Sequence, residues 1–273
     1  MTTSALVSDL DQLKIRLKTI WMAGDYDRFS RYMEGSAREF YERLAAFRRG
    51  RWLDVACGSG QLALMAARDG LDVTGVDIAT NLVECARVRA RAEGLHIRFE
   101  EGDAEALQFA DGEFDVVASL IGAMFAPRPD MVATELLRVC KPGGVIAMAN
   151  WTPQGFVGQM FKAVAKFIAP SGMPSPVLWG DETTVRERLG SGLSELRLVR
   201  HHYTFAYDFP PVAVVELFRR YYGPINQAFA ALDTAGQDRL RGELEALWAA
   251  HNRAGIDSTV VHAEYLEVIG IRA

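Results

Sequence analysis

The chain has 273 residues, 49% of them hydrophobic and 24% charged, with a formal net charge of −5. This is the composition of a globular protein, and the length suits about two domains or one α/β domain with insertions. The acidic balance provides no broad basic field for nucleic acid, and no run reaches the roughly 18 apolar residues of a membrane span.

In chain order, residues from about Asp9 to Arg48 read as helices. Leu10, Leu13, Leu17 and Ile20 recur at helical spacing, and Gly24 breaks the run before a second helical stretch, Tyr26 to Phe47. Strands and helices then alternate. Strands are predicted at Trp52–Ala56, Asp72–Val76, Ile97–Glu100, Phe114–Ser119 and Val145–Asn150. Helices are predicted at about Gln61–Arg68, Thr80–Glu93 and Pro129–Cys140. Such alternation implies a parallel sheet with right-handed crossovers. The apolar run Asp115-Val-Val-Ala-Ser-Leu-Ile121 suits a central strand covered on both faces, and Pro142-Gly-Gly144 signals a turn.

The C-terminal half is less regular. Gly155–Ile168 reads as a helix, 170–176 as a Pro-rich loop, Glu182–Leu189 as a short helix and Glu195–Tyr207 as a strand. Helices follow at Pro211–Tyr222 and about Gln237–Asn252, and a last strand at Thr259–Ile271.

The most informative stretch is Leu53-Asp-Val-Ala-Cys-Gly-Ser-Gly60, followed by Gly75-Val-Asp77. A strand ends in a glycine turn that opens a helix, and a second strand ends in an acid: the front half of a nucleotide-binding βαβ unit. Asp77 is placed to accept hydrogen bonds from ribose hydroxyls. Asp54 separates two ligands. A dinucleotide sets an anionic pyrophosphate at the helix N-terminus, where Asp54 would repel it. S-adenosylmethionine brings an ammonium and a sulfonium instead, and a buried charge needs a partner. Taken singly, Asp54 also reads as a cap for loop amides, and Asp77 as a plain strand end.

Five ordered segments resemble the class I S-adenosylmethionine-dependent methyltransferases, in the broad type 11 group related to the quinone-biosynthesis C-methyltransferases. They are Asp54–Gly60, Gly75–Ala79, Glu101-Gly-Asp-Ala-Glu-Ala-Leu107, Phe114–Leu120 and Glu135-Leu-Leu-Arg-Val-Cys-Lys-Pro-Gly-Gly144. The resemblance runs from about Trp52 to Trp151. It implies a Rossmann-like, doubly wound seven-stranded sheet, mostly parallel with an antiparallel C-terminal edge hairpin, plus a helical cap. The expected division is a helical cap segment over 1–50, a cofactor-binding core over 51–152, and a C-terminal part over 153–273. That last part completes the sheet at about 194–208 and 259–271 and adds cap insertions.

By the same resemblance, Asp54, Ala56, Gly58 and Gly60 hold the methionine end of S-adenosylmethionine, and Asp77 holds the ribose. Ile78 packs on the adenine, Asp103 and the Ala104 amide meet its edge, and Ser119 and Leu120 line the methionine portion. Tyr26, Tyr32, Met124, Phe125 and Trp151 are candidates for the acceptor pocket, each with plain core packing as the alternative. Trp21 and Met33 are further residues that would close over the cofactor. His96, His201, His202, His251 and His262 have no partner recognisable from spacing, so no catalytic base is assigned. Cys57, Cys85 and Cys140 are too few and too scattered for a disulfide framework or a zinc site. They fit a reduced cytoplasmic setting, and the polar stretch Met1–Asp11 does not read as a secretory signal.

The expected activity is methyl transfer to a small, partly apolar or aromatic acceptor by in-line displacement, leaving S-adenosylhomocysteine. No metal, nucleic acid or membrane span is expected. The alternatives are a non-catalytic cofactor-binding module, an NAD-dependent oxidoreductase, which Asp54 disfavours, and a nucleic-acid methyltransferase, for which residues 153–258 are not markedly basic.

Overall fold

The computed structural model describes residues 2–168 and 172–273. Three helices come first: α1 (Thr2–Met22), α2 (Tyr26–Arg31) and α3 (Glu34–Arg43). The core follows as β1 (Arg51–Val55), α4 (Gln61–Arg68), β2 (Asp72–Asp77), α5 (Thr80–Ala92), β3 (Arg98–Glu101), β4 (Phe114–Leu120), α6 (Pro129–Val139) and β5 (Cys140–Trp151). The chain closes with α7 (Phe156–Ala165), α8 (Glu182–Leu189), β6 (Leu193–Tyr207), α9 (Pro211–Tyr221), α10 (Gly223–Ala230), α11 (Thr234–His251) and β7 (Thr259–Arg272).

Among the described residues the strands form one seven-stranded sheet in the order β3-β2-β1-β4-β5-β7-β6. β1 to β5 run parallel, while β7 pairs antiparallel with both β5 and β6. This is the Rossmann-like sheet with an antiparallel C-terminal edge that the sequence predicts. Helices cover both faces, so β1 is buried from Trp52 to Val55 and the central β4 is almost continuously apolar. Strand order reverses between β1 and β4, which opens a crevice at their C-terminal ends.

The register of β1 fixes the site. Asp54 lies beside Gly75 of β2 and Ala118 of β4. Beyond the strand, Gly60 opens α4 with φ +83°, and a Cβ there would stand 2.9 Å from the Phe99 ring. Only glycine takes that turn without strain. Short acidic caps start three of the outer helices: Asp25 accepts the Arg28 amide, Asp181 the Thr184 amide and Asp233 the Gly236 amide.

Three expectations change. The single helix over Tyr26–Phe47 is broken, because the end of α2 tightens to three-residue hydrogen bonds, Tyr32 to Phe29 and Met33 to Ser30. The Ser30 carbonyl there also takes the Gln61 amide group. Pro142-Gly143-Gly144 lies inside β5, where pairing with β4 shifts register between Phe114 and Val116. It is an irregular strand entry and not a separate turn. α10 lies in a stretch read as connection; Gly223-Pro224 opens it, with proline in the first turn where its missing N–H costs nothing. In the predicted loop over 170–176, positions 170 and 171 lie outside the described residues, and Pro176–Gly180 forms a 3-10 turn. No described helix is long and apolar enough to cross a membrane.

Candidate functional site

The chain leaves β1 and β4 through two residues in left-handed backbone, Ala56 (φ 56°) and Ile121 (φ 52°). Non-glycine residues pay for that conformation, and it concentrates where loops must meet a ligand. The two loops press together: a Cβ on Gly122 would fall 2.5 Å from the Ala56 carbonyl oxygen. Ser119 braces the junction, donating to the Val55 carbonyl at 2.8 Å and accepting the Ala123 amide at 2.9 Å.

Two carboxylates are buried behind this junction. Asp54 is 2% exposed and accepts the Ala63 amide at 3.0 Å. Asp77 is 8% exposed and accepts the Gly58 and Ala79 amides, each at 2.8 Å. Among the described residues no lysine, arginine or histidine pairs with either acid. Burial pushes Asp54 up to about 8, and the nearby Asp77 charge adds to this against the Ala63 hydrogen bond. Burial likewise raises Asp77, opposed by its two amide donors. Both acids therefore lack positive charge, which is costly for a buried carboxylate.

Three adjoining voids open from the junction. One of about 720 Å³ runs past Asp77, Ile78, Asp103 and Ala104 and is covered by Lys14, Leu17 and Trp21 of α1. A smaller polar void of about 370 Å³ is bounded by Asp54, Ser30, Ser59 and Gln61. The third, about 330 Å³, is apolar and mostly aromatic, with walls that include Phe29, Trp151, Phe205 and Phe218. Tyr26 and Ile121 line all three.

The positions singled out in the sequence separate accordingly. Ala56 and Gly58 border the first two voids, Asp77, Ile78, Asp103 and Ala104 the first, and Asp54 and Leu120 the second. Phe125 lines the first and third, and Trp151 the third. Trp21 and Met33 also face the third. Gly60 stands behind the turn against Phe99, and Ser119 acts through its bracing hydrogen bonds; neither lines a void. Two acceptor-pocket candidates fall elsewhere. Tyr32 is 40% exposed and packs on Tyr207 and Phe209, beside an open surface hollow with Asp27 and Arg31. The early end of α2 carries it away from the crevice. Met124 is 1% exposed and belongs to the hydrophobic core, outside all three voids. None of the five histidines lines a void.

Lys14 is a lining residue with no sequence signal of function. Lys14 reaches from α1 to Asp103 at 2.5 Å and to Glu105 at 2.6 Å. Those two carboxylates raise its pKa against the effect of burial. Glu105 in turn takes Arg128 at 2.7 Å. At the polar void the Gln61 side-chain amide donates to the Ser30 carbonyl, and the Ser30 hydroxyl also meets that of Ser59 at 3.2 Å. The spacing of Leu17 and Trp21 on α1 was the one readable hint that this helix turns a face inward. Among the described residues no His, Cys, Asp and Glu cluster could hold a metal ion.

The donor set suits a ligand with an adenosine-like body and a cationic tail. The paired buried acids lack a counter-charge, and the turn amides at Gly58 and Ala63 are already taken by Asp77 and Asp54. A pyrophosphate would meet a carboxylate there instead of free N–H groups.

Comparison with known proteins agrees. Residues 53–148 match the family model described as a methyltransferase domain. An uncharacterised protein of Mycobacterium tuberculosis is 37% identical over 218 residues, covering 79% of this chain and 80% of that one. The demethylmenaquinone methyltransferase of Thermus thermophilus is 37% identical over 124 residues, 44% of this chain and 56% of that one. Among solved structures, the YcgJ protein of a Bacillus species superposes with a TM-score of 0.60 at 18% identity, covering 87% of this chain and 98% of that one. At that identity the likeness speaks for the fold.

Proposed function

This chain belongs to the methyltransferase-domain family and is an S-adenosylmethionine-dependent methyltransferase, and from that premise we propose that its acceptor is a small apolar molecule held in the aromatic void. The observation that carries the proposal is that the three voids share Tyr26 and Ile121 as common walls. A cofactor filling the first two would present its reacting end to the third.

Bound there, the cofactor supplies an activated methyl group. Asp54 meets the ammonium of the methionine end, where a cation relieves the cost of its burial. Ser30 and Gln61, joined by a hydrogen bond from the Gln61 amide to the Ser30 carbonyl, border the same end. Asp77 accepts from the ribose while continuing to hold the Gly58 turn. Ile78 packs on the adenine, with Asp103 and the Ala104 amide at its edge and Lys14 closing over them. Leu120 borders the methionine portion, and Ser119 keeps the Ala56 and Ile121 loops in register.

The aromatic void orients the acceptor and excludes water. Orientation of this kind is worth about 7–11 kcal/mol of barrier, and dryness strengthens every charge interaction inside. The lining holds no carboxylate, lysine, arginine, histidine or cysteine. A permanently charged acceptor would be desolvated there without a counter-ion, so the walls favour one that arrives uncharged.

The test is partition of label. The protein is incubated with methyl-labelled S-adenosylmethionine and separate fractions of small organic extract, protein and nucleic acid. Label in the organic fraction supports the proposal. Label in protein or nucleic acid, or none in any fraction, rejects it.

A further inference from the structure

Two of the residues lining the aromatic void, Tyr26 and Tyr222, carry a hydroxyl. Tyr26 starts α2 and Tyr222 follows α9, and their ring centroids are 6.3 Å apart. Among the described residues neither hydroxyl has a hydrogen-bond partner. Tyr203, by contrast, spends its hydroxyl on the Met33 carbonyl at 2.6 Å. A buried hydroxyl is normally paired, so two neighbouring ones left open at the wall of a void are placed for a ligand. We propose that Tyr26 and Tyr222 together receive one oxygen of the acceptor, and that the acceptor is an uncharged aromatic or conjugated molecule bearing a phenol- or enol-type hydroxyl. This rests on the methyltransferase reading above and names the substrate class for that site.

The chemistry narrows the class. Methylation at or next to a hydroxyl requires its proton to leave. The groups able to take that proton are few. On the cofactor side stand Asp54 and Asp77, each engaged with backbone amides. From β6 come Tyr203 and Tyr207, and from α2 and the end of α9 come Tyr26 and Tyr222. Burial holds all four phenols protonated well past neutral pH. They donate hydrogen bonds but are no bases. The acceptor therefore arrives uncharged and ionises by its own acidity only once it is seated against the two tyrosine donors, which meet the oxyanion as its proton passes to water. Donors held neutral in a dry site stabilise such charge strongly. A phenol or enol meets this requirement; an alkyl alcohol does not. The flat rings of Phe29, Phe125, Trp151, Phe205 and Phe218 suit an aromatic body by stacking and edge contacts.

The probes are 4-nitrophenol, whose absorbance separates its neutral and ionised forms, and nitrobenzene, which has the same body without the hydroxyl. Each is titrated into the protein with S-adenosylhomocysteine present and absent. Nitrophenol is expected to bind more tightly than nitrobenzene. Tyr222→Phe should weaken nitrophenol about threefold to tenfold and raise the ionisation midpoint of the bound probe by roughly half to one pH unit. It should leave nitrobenzene unchanged, which also shows that the variant is folded. Tyr207→Phe should alter neither probe. The proposal is overturned if nitrophenol does not bind or binds no better than nitrobenzene. It is equally overturned if Tyr222→Phe weakens both probes alike or leaves the midpoint unmoved. The binding isotherm of S-adenosylhomocysteine itself, taken in the same samples, reports separately on the cofactor reading.

Discussion

Asp77 accepts the Gly58 amide at 2.8 Å through one carboxylate oxygen and the Ala79 amide at 2.8 Å through the other. The acid that ends β2 thus clamps both the turn after β1 and the entry to α5. The same side chain lines the larger void, so the carboxylate that holds the turn also faces the proposed cofactor site.

Asp77→Ala should therefore cost stability as well as affinity. Two buried amides lose their acceptor, and each buried unsatisfied donor costs about 1–3 kcal/mol. Thermal melts should show the loss in the free protein, and calorimetry should show weaker S-adenosylhomocysteine binding. A variant with native stability and reduced affinity would show that Asp77 does not hold the turn.

Asp54→Asn should separate the two roles at the neighbouring strand. The carboxyl sits near 8 in the folded chain against an ordinary value of 3.8. Between those values the folded state binds more protons than the unfolded one, so stability falls as pH rises through that window. Asparagine can still accept the Ala63 amide and carries no charge to bury. The variant should be more stable than the parent at pH 8, nearly equal to it at pH 4, and much weaker for S-adenosylhomocysteine. Denaturant titrations at the two pH values check this; equal losses at both would contradict it.

Gly60→Ala should destabilise by about 1–3 kcal/mol through a strained left-handed backbone. A methyl group also meets the Phe99 ring at 2.9 Å. The denaturation midpoint reads the effect, and an unchanged midpoint would mean the turn can relax.

Lys14→Met should loosen the cover that α1 lays over the larger void. The change removes contacts to Asp103 and Glu105 and leaves Glu105, whose side chain is fully buried, to Arg128 alone. S-adenosylhomocysteine affinity should fall about threefold to tenfold, and its dependence on salt should flatten, since screened charge pairs are lost. Calorimetry at two ionic strengths measures both. Unchanged affinity would place α1 outside the binding event.

Much of this was legible in the chain. Strand and helix alternation from Arg51 to Trp151 follows from apolar runs punctuated by glycine turns, and local chemistry decides such elements. The glycine turn and the two acids could be read because their spacing along the chain is itself the geometry. The aromatic void was less readable. Its walls come from α1, α2, β5, α7, β6 and α9, which tertiary packing alone brings together. Phe205 and Phe218 are ordinary core residues in any linear pattern. Tyr32 and Met124 resembled pocket residues, but the tightened end of α2 turned one outward and the sheet absorbed the other. Lys14 carried no sequence signal, because its partners lie about ninety positions away.

The central claim is that the Asp54 pocket is built for a ligand bearing an ammonium group, and proton counting tests it most directly. S-adenosylhomocysteine binding is measured by calorimetry near pH 7 in buffers of different ionisation enthalpy. A cation arriving beside a carboxyl held near 8 drives its proton off. Binding should release a proton approaching one per site, affinity should rise between about pH 6 and 8, and Asp54→Asn should abolish both effects. Binding with no proton released and a flat pH profile, or no binding at all, would contradict the account.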